Sequence, residues 1–307
     1  MELFHKLDTL IAAPRQPGSS LALGAFDGLH RGHMAVLRAA ATPPYAENWG
    51  IFTFSNRPFG KQTLLTAQDR EALLRQTGAA FVVAPAFEEV RDLPAADFAA
   101  NVLFGACGAK RLCCGEDFRF GKNAAGDVAL LQKLCAEHGA ELTIVPPVTD
   151  GTEKISSTRI RGEVESGELP LANRLLGRAF CYTLPVIHGR HLGTKLGTPT
   201  MNQAMPETLV LPPFGVYASF AQVGENWHYG VTNIGVKPTV GSDRVLSETW
   251  LPEFSGDLYG KKIKIALLAF LRPERKFASL EALKEEIQKN AKEAKKIALQ
   301  TEMGMLK

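Results

Sequence analysis

The chain has 307 residues, of which 45% are hydrophobic and 22% are charged, and its formal net charge is +3. This length exceeds a typical single core and fits two globular domains, and the composition argues against a disordered protein. The small net charge does not require a nucleic-acid partner, though it suits a protein that handles phosphates.

The apolar runs, the N-terminus and the cysteines all favour a cytoplasmic location. No apolar run approaches the roughly 20 residues that a membrane-spanning helix needs, so we expect no membrane partner. The first six residues show no basic region followed by an apolar core, so we expect no secretory signal. The five cysteines form no CxxC pattern, and the adjacent Cys113 and Cys114 are poorly placed for a disulfide or a tetrahedral metal site. We therefore expect reduced thiols in a cytosolic protein.

The first half of the chain alternates strand-like and helix-like segments. Short apolar runs predict strands at 21–23, 50–54, 80–83, 111–114 and 141–145. Helical periodicity is found at 34–40, 69–76, 98–104 and 128–138, and in the first of these the candidate buried positions are Met34, Val36, Leu37 and Ala40. Alternation of this kind predicts a parallel sheet with helices on both faces.

After about residue 178 the pattern changes to short β-rich pieces separated by Pro and Gly. These pieces lie at 181–186, 215–221, 227–232, 247–251 and 262–270. Their spacing predicts a small antiparallel barrel, and the periodicity of 279–299, with Ser279 as N-cap, predicts a terminal helix. We predict two domains, 1–178 and 179–307.

A glycine-rich segment at 24–33 lies where the first predicted strand turns into a helix. Ligands of an open parallel sheet gather at this end of the strands, and backbone N–H groups at a helix start attract anions. His30 and His33 are three apart, so both imidazoles can face a phosphate and donate hydrogen bonds as charge develops in a transition state. The alternatives are an ordinary turn, or a metal site, for which Asp27 is the one further ligand nearby.

A second candidate anion receptor starts a helix near residue 157. Three hydroxyl residues, Ser156, Ser157 and Thr158, precede Arg159 and Arg161 in the first turn. Cations oppose the positive end of a helix dipole, so a bound anion would explain the arginines. The alternative is an ordinary Ser/Thr cap with arginines that face solvent.

The predicted barrel carries a third candidate site. The basic, glycine-spaced segment 189–202 lacks the GxxxxGK[ST] pattern, which excludes a P-loop. On a strand, Thr200 and Asn202 would face the same side, and their oxygens suit a Mg²⁺ ion that also binds ATP phosphates. Glu248 lies among apolar and hydroxyl residues and could act as a general base. The alternatives are a plain turn at 197–200 and an exposed edge-strand position for Glu248.

These motifs, in this order, resemble the bifunctional bacterial riboflavin kinase/FAD synthetase family. The matching segments are 24–33, 115–122, 156–161, 189–202, 211–218, 233–239, 257–260 and 272–277. The resemblance implies a Rossmann-like α/β nucleotidyltransferase domain, followed by a six-stranded antiparallel β-barrel kinase domain with a C-terminal helix. It also implies that riboflavin is phosphorylated to FMN by the second domain with ATP, and that FMN is adenylylated to FAD by the first, with release of pyrophosphate.

The resemblance also assigns roles to residues of the first domain. The implied ATP ligands are Gly24, Phe26, Asp27, Gly28, His30, Gly32, His33, Ser156, Ser157, Thr158 and Arg161. The implied flavin contacts are Asp117, Phe118, Arg119 and Phe120. The two histidines act on the transferring phosphoryl group, and the family has no obligatory covalent nucleophile. The chain departs from the family at Asn56-Arg57-Pro58, where Pro-His-Pro is usual, which leaves the role of Arg57 open.

In the second domain the resemblance implies an ATP-binding loop and a catalytic base. The loop and strand residues are Gly189, Gly193, Lys195, Gly197, Pro199, Thr200 and Asn202. Thr200 and Asn202 are the implied Mg²⁺ ligands, and Glu248 is the implied base.

Two other functions fit parts of the sequence. A single-activity nucleotidyltransferase acting on another phosphorylated metabolite would leave the barrel as an accessory domain. A nucleotide- or RNA-binding module without catalysis is suggested by the terminal lysines at 284–296, but Glu285, Glu286 and Glu293 are interleaved with them. Such mixing is typical of a solvated helix face, so we expect small-molecule substrates and no nucleic-acid partner.

Overall fold

The chain forms two compact units in the structure, a computed structural model that describes residues 1–55, 62–189, 197–239 and 242–306. Side chains are described in these ranges except at 237–239 and 242–243. The N-terminal unit comprises Met1–Lys61 and Arg70–Ser156, and the C-terminal unit comprises Gln62–Asp69 and Ser157–Lys307. The helices between 157 and 176 group with the barrel, so the compact units divide at residue 156, ahead of the predicted boundary. The boundary between the two functional domains at 178 stays a prediction.

Strands and helices alternate in the first half of the chain, and antiparallel strands dominate the second. The strands are β1 (Glu2–Phe4), β2 (Ser19–Leu23), β3 (Trp49–Phe52), β4 (Phe81–Val83), β5 (Ala109–Gly115), β6 (Glu141–Val145), β7 (Thr149–Asp150), β8 (Glu153–Lys154), β9 (Phe180–Pro185), β10 (Thr200–Ala204), β11 (Gly215–Val223), β12 (Asn226–Thr239), β13 (Ser242–Trp250) and β14 (Lys262–Pro273). The α-helices are α1 (Leu7–Ala12), α2 (Arg31–Ala40), α3 (Ala67–Gln76), α4 (Phe87–Val90), α5 (Ala95–Asp97), α6 (Val128–Glu137), α7 (Ser157–Ser166), α8 (Leu169–Leu176) and α9 (Leu280–Gln300). The helix predicted at 98–104 is a π-helix, Phe98–Ala106, that continues α5.

The sheet of the N-terminal unit is parallel throughout, with the strand order β1-β4-β3-β2-β5-β6. The chain runs from β2 to β3 and β4 on one side, while β5 and β6 lie on the other side. The strand order therefore reverses beside β2, and open α/β sheets bind their ligands at the carboxyl ends of the strands at such a point. The predicted parallel sheet is confirmed, and β1 at its edge is an addition to the prediction.

Both faces of this sheet are covered, as predicted. On one face, Leu21 and Cys114 pack with the π-helix and α6 in one apolar core. The alternate residues Ala22 and Cys113 point to the opposite face, where α2 packs against β2 and β5. Helix α2 buries three of the four predicted positions, Val36, Leu37 and Ala40, and leaves Met34 only half-buried.

The C-terminal unit contains a six-stranded antiparallel sheet in the order β10-β13-β12-β11-β14-β9. Its two edge strands meet. The amide of Gln203 on β10 donates hydrogen bonds of 2.7 Å to the Leu184 carbonyl and 2.8 Å to the Ile263 carbonyl, and Ile187 pairs with Asn202. The sheet therefore curls into the predicted barrel, which leaves little unpaired edge.

Hydroxyl groups inside the barrel bind one another. The Thr232 hydroxyl lies 2.8 Å from the hydroxyls of both Ser219 and Thr249, and the Tyr182 hydroxyl lies 2.7 Å from that of Ser247. Buried polar groups need such partners. Since Ser247 and Thr249 point inward, alternation along β13 directs the side chain between them outward.

Helix α9 covers part of the outer face of the barrel. Its Ala291 and Ala294 belong to the same buried apolar cluster as Val216 and Ala218 of β11. The predicted N-cap is confirmed, since the Ser279 hydroxyl accepts a 3.1 Å hydrogen bond from the Ala282 amide. Across the described ranges, no helix combines the length and apolar character needed to cross a bilayer.

Asn173 of α8 holds the first strand of the barrel, and its replacement tests this contact. Its side chain accepts a 2.7 Å hydrogen bond from the Phe180 amide and donates one of 2.9 Å to the Leu267 carbonyl, and all of these groups are buried. We expect Asn173→Ala to lower the free energy of unfolding by about 2 kcal/mol or more, because two buried backbone groups lose their partner. Urea unfolding followed by tryptophan fluorescence measures this, since Trp227 and Trp250 both lie in barrel strands.

The exposed Asn101 provides the matched control for this variant. Asn101→Ala should leave the urea midpoint unchanged, as surface changes away from special contacts do. Equal midpoints for the two variants would contradict the role given to Asn173.

Candidate active sites

The glycine-rich turn at 24–30 follows β2 at the point where the strand order reverses. Gly28 has a φ of 84°, and Phe26 and Leu29 adopt left-handed φ values of 47° and 42°, which non-glycine residues seldom do. The buried ring of Phe26 lies 3.1 Å from the Cβ position of Gly24, so a side chain at 24 would crowd the ring. The turn is thus a packed and conformationally strained structure rather than an ordinary loop.

His30 and His33 lie together at the start of α2, as their spacing predicts. Their rings stack with centroids 3.6 Å apart and an interplanar angle of 16°. His30 is the N-cap residue, and its Nδ1 accepts a 3.2 Å hydrogen bond from the His33 amide. A neutral His30 therefore carries its proton on Nε2, which leaves that nitrogen as a donor. Gly32 allows this stack, because a Cβ there would lie 3.1 Å from the His30 ring.

The loop after β5 lies beside the glycine-rich turn, since β5 is the neighbour of β2. The rings of Phe118 and Phe120 stack with centroids 5.8 Å apart and an interplanar angle of 13°. Asp117 is exposed and accepts a 2.8 Å hydrogen bond from the Lys154 ammonium, which lowers the pKa of this carboxyl group. The loop therefore combines an aromatic pair with a charged rim at one end of the sheet.

Asp127, which follows this loop, has a structural role. Its carboxylate caps α6 by accepting a 2.9 Å hydrogen bond from the Leu130 amide. It also lies 3.6 Å from the Arg119 guanidinium. Arg119 is therefore tethered to the start of α6, while most of its side chain stays exposed.

The hydroxyl-rich segment starts α7, as predicted. Arg161 is buried, and its Nη2 donates a 3.1 Å hydrogen bond to the Thr158 hydroxyl. The alternative of solvent-facing arginines is therefore wrong for Arg161, whereas Arg159 lies 3.9 Å from Glu163 along the helix. Within the N-terminal unit, the Ile155 carbonyl is 3.6 Å from the Cβ position of Gly32, which brings the chain just before Ser156 to the first turn of α2.

In the barrel, three polar side chains form one row on the outer face of neighbouring strands. Glu248 on β13 pairs directly with Asn202 on β10 and with Asn233 on β12, so the three side chains share one face of the sheet. Thr200 lies two residues before Asn202 on the same face. The edge-strand alternative for Glu248 is wrong, because β13 lies between β10 and β12 and Glu248 is half-buried.

Asn202 is buried in an unusual environment. Its Oδ1 accepts no hydrogen bond from the described residues, although it is shielded from solvent. A Cβ at Gly189 would lie within 2.8 Å of the Asn202 Cγ, so the backbone of Gly189 packs directly on the amide. Buried oxygens in ordinary packing normally accept a hydrogen bond. An oxygen that lacks one is better explained as a ligand for a cation.

The rest of the predicted kinase loop is only partly described. Gly197 and Pro199 are exposed just before β10, whereas Gly193, Lys195 and, in the other half, Arg57 lie outside the described residues. The ring of His188, next to Gly189, stacks on Tyr259 with centroids 4.0 Å apart.

Sequence reasoning missed one polar contact beside this row. Asn233 donates a 2.9 Å hydrogen bond to Glu274. Gly235 makes room for that carboxylate, because a Cβ there would lie 2.7 Å from the Glu274 Cδ. Both residues lie in segments that carry the family resemblance, but the contact reaches from β12 past β11 to the residue just after β14, and the spacing gives no signal of it.

The metal-site alternative for the two histidines lacks support. Among the residues that the structure describes, no group of three or more His, Cys, Asp and Glu side chains is arranged to hold a metal ion. His30 and His33 instead stack on each other, and the His33 ring meets the Phe26 ring edge-to-face with centroids 5.3 Å apart.

Comparison with known proteins covers both halves of the chain. The FAD synthetase family model matches residues 12–159, and the riboflavin kinase family model matches residues 176–298. The bifunctional riboflavin kinase/FMN adenylyltransferase of Pseudomonas fluorescens is 36% identical, over 97% of this chain and 98% of its own. The proteins of the same name from Escherichia coli K12 and Bacillus subtilis are 35% and 33% identical, over 94% and 91% of this chain and 95% and 92% of their own.

A solved structure shows the same fold along nearly the whole chain. A crystal structure from Streptococcus pneumoniae, described as a macrolide-efflux protein, matches with a TM-score of 0.83 and 26% identity, over 93% of this chain and 96% of its own. Because relatives above 30% identity align along almost their full length with both halves, the chain belongs to the family of bifunctional riboflavin kinase/FMN adenylyltransferases.

Proposed function

We propose that the two activities of this family reside in separate halves of the chain, with residues 1–178 adenylylating FMN and residues 179–307 phosphorylating riboflavin. The observation that carries the division is the presence of two unrelated polar constellations. One lies at the reversal point of a parallel sheet, and the other is the Asn202–Glu248–Asn233 row of the barrel. A single ATP pocket cannot present both the α- and the γ-phosphorus to a flavin, so two reactions need two pockets.

In the kinase half, Glu248 is the general base that takes the proton from the ribityl hydroxyl as it attacks the γ-phosphate. Thr200 and Asn202 would hold Mg²⁺, which neutralises phosphate charge when bound. The buried Oδ1 of Asn202 supports this assignment, because it has no donor among the described residues. The direct cross-strand pairing of Asn202 with Glu248 keeps base and metal ligand at a fixed separation. Gly189, Gly193, Lys195, Gly197 and Pro199 complete the proposed ATP loop.

In the adenylyltransferase half, the phosphate of FMN attacks the α-phosphorus of ATP, and pyrophosphate leaves. His30 Nε2 and His33 donate to the phosphoryl oxygens as charge develops, and the amide groups at the start of α2 add to the positive field. Ser156, Ser157, Thr158 and Arg161 bind the leaving phosphates. No covalent intermediate is needed, because positioning and charge neutralisation suffice for phosphoryl transfer.

The loop after β5 is the proposed flavin site of this half. The half-buried ring of Phe118, which stacks on the buried Phe120, offers an apolar face to the isoalloxazine, and stacked aromatic contacts favour a planar ligand. Asp117 and Arg119 are exposed on the same loop and can contact the polar edge of the flavin or its ribityl chain.

The proposal includes a cytoplasmic location, and the chemistry of the thiols supports it. All five cysteines are buried and unpaired, and burial raises the pKa of Cys107 to about 12 and that of Cys135 to about 11. Inert, reduced thiols suit a reducing compartment in which ATP and riboflavin are available.

The central test gives the purified chain riboflavin, ATP and Mg²⁺. The expected products are FMN with ADP, then FAD with pyrophosphate, separated by chromatography.

Two variants assign the products to the two halves. His33→Ala should block FAD while FMN accumulates, with adenylylation slowed about 10²- to 10³-fold, because a donor to the transition state is lost.

Glu248→Gln is the reciprocal variant. It keeps the size of the side chain and removes the base, so riboflavin phosphorylation should fall about 10²- to 10⁴-fold while added FMN is still converted to FAD. If either variant remained folded yet lost both activities, the separation of the two reactions would be wrong.

Gly189→Ala tests the packing that positions Asn202. The new methyl group would collide with the Asn202 amide, and a displacement of about 1 Å at a reacting centre costs on the order of 10²-fold in rate. We expect phosphorylation of riboflavin to fall by that amount while adenylylation of FMN is unchanged, measured on the same preparation. Gly304→Ala is the control, because a Cβ at Gly304 meets nothing within 4 Å. Full kinase activity in Gly189→Ala would refute the positioning argument.

A further inference from the structure

Arg70, which lies outside every motif described above, contacts the glycine-rich turn. It is the fourth residue of α3 and belongs to the N-terminal unit. Its Nη2 donates a 2.9 Å hydrogen bond to the Ala25 carbonyl and another to the Thr53 hydroxyl, and its Nη1 donates to the Phe54 carbonyl. One guanidinium group therefore joins the chain that leaves β2 to the chain that leaves β3.

Thr53 closes this set of hydrogen bonds. Its side chain is buried, and its hydroxyl donates a 3.0 Å hydrogen bond to the same Ala25 carbonyl that Arg70 contacts. Its own amide is held by the Val83 carbonyl at 2.9 Å, so Thr53 is fixed by β4. The Ala25 carbonyl thus accepts two hydrogen bonds from rigid neighbours, which fixes its direction.

A fixed Ala25 carbonyl determines the direction of the next amide group. The peptide bond is planar and trans, so the N–H of Phe26 points away from the Ala25 carbonyl. Phe26 also adopts a left-handed φ of 47°, a conformation that persists only where the surroundings enforce it. The Phe26 ring meets His33 at 5.3 Å, so this strained residue connects the Arg70 contact to the histidine pair.

The charge of Arg70 is held in a partly buried position. Burial lowers the pKa of the guanidinium, and the nearby Asp27 carboxylate acts in the opposite direction. An arginine nevertheless stays protonated in proteins. A permanent cation therefore lies under the turn in which the adenylyltransferase half is proposed to bind ATP.

We propose that Arg70 is a positioning residue for FMN adenylylation, which holds the 24–28 turn in the conformation that binds the polyphosphate of ATP. The inference rests on the proposed function of the N-terminal half. Arg70 acts through the backbone of Ala25 and Phe26 and need not touch the nucleotide itself. A lysine cannot replace it, since a single ammonium group lacks the planar fork that reaches Ala25, Thr53 and Phe54 together.

The test compares Arg70→Gln and Arg70→Lys with the control Arg75→Gln. Arg75 lies on the same helix, but it is exposed and, among the residues that the structure describes, pairs along the helix with Glu71 at 2.6 Å. Both Arg70 variants should lower kcat/KM for FAD formation about 10²-fold, since the turn moves relative to the reacting phosphate. The KM for FMN should be unchanged, because the proposed flavin contacts come from the loop after β5. Phosphorylation of riboflavin should be unchanged in all three variants.

Three outcomes decide the proposal. Wild-type FAD synthesis in a folded Arg70→Lys overturns it, and so does an equal loss of both activities in that variant, because a general structural defect would then explain the result. A selective loss of adenylylation in both Arg70 variants supports it. A fourth variant, Arg70→Ala, adds a rescue test: partial recovery with added guanidinium ion is further support, since a general packing defect is not repaired by a free cation. If Arg70→Gln unfolds, Arg70→Lys decides alone. Failure of the wild-type chain to make FAD would instead refute the proposed function.

Discussion

Both halves of the chain must hold the charge of a polyphosphate, and that constraint explains most of what is unusual in them. In water, a triphosphate is surrounded by mobile dipoles, and an enzyme gains rate by replacing these with donors and cations that are already in place. At the proposed site of the N-terminal unit, such donors would come from the start of α2, where the backbone amides cannot bond within the helix. The described part of the barrel instead places its polar row on strands. Side-chain oxygens in such a row suit a metal ion, which would carry the positive charge in the proposed site.

The glycine-rich turn and the polar row of the barrel differ in what keeps them rigid. In the N-terminal unit, rigidity comes from packing and strain: Phe26 is buried in a left-handed conformation and His30 is tied to the His33 amide. In the barrel, rigidity comes from strand register. Glu248 faces Asn202 on one side and Asn233 on the other, and a slip of one residue would turn Glu248 into the hydroxyl-lined interior. The inward Ser247 and Thr249 prevent that slip, because their hydroxyls are satisfied only in the observed register.

The sequence allowed the local features to be predicted, and it did not allow the long-range ones. Strand β2, helix α2 and the Ser279 cap follow from periodicity and capping preferences, which act over a few residues. The contact of Arg70 with Ala25 joins residues 45 apart in the chain, and it depends on the order β4-β3-β2 in the sheet. Likewise, the segment Gln62–Asp69 joins the C-terminal unit because its residues bond there, as Asp69 does to the Thr183 amide at 2.9 Å. No spacing rule relates such pairs, because only the fold brings them together.

In the barrel, the proposed binding site includes a buried oxygen that accepts no hydrogen bond from the described residues, which lowers the stability of the free protein. Asn202 Oδ1 and Gln203 Oε1 are neighbours in sequence, and both are buried without a donor among the described residues. The two hydrogen bonds of the Gln203 amide nitrogen, to the Leu184 and Ile263 carbonyls, join two strands and compensate for its unsatisfied oxygen. Within the described ranges, the Asn202 amide nitrogen has a single long contact, 3.5 Å from the Thr200 carbonyl. A buried oxygen of this kind costs about 1–3 kcal/mol, and a ligand that satisfies it binds the folded chain alone and so stabilises it. The residue that is worst satisfied in the free protein is therefore the one with most to gain from a cation, which is the physical reason for placing Asn202, rather than Gln203, in the proposed site.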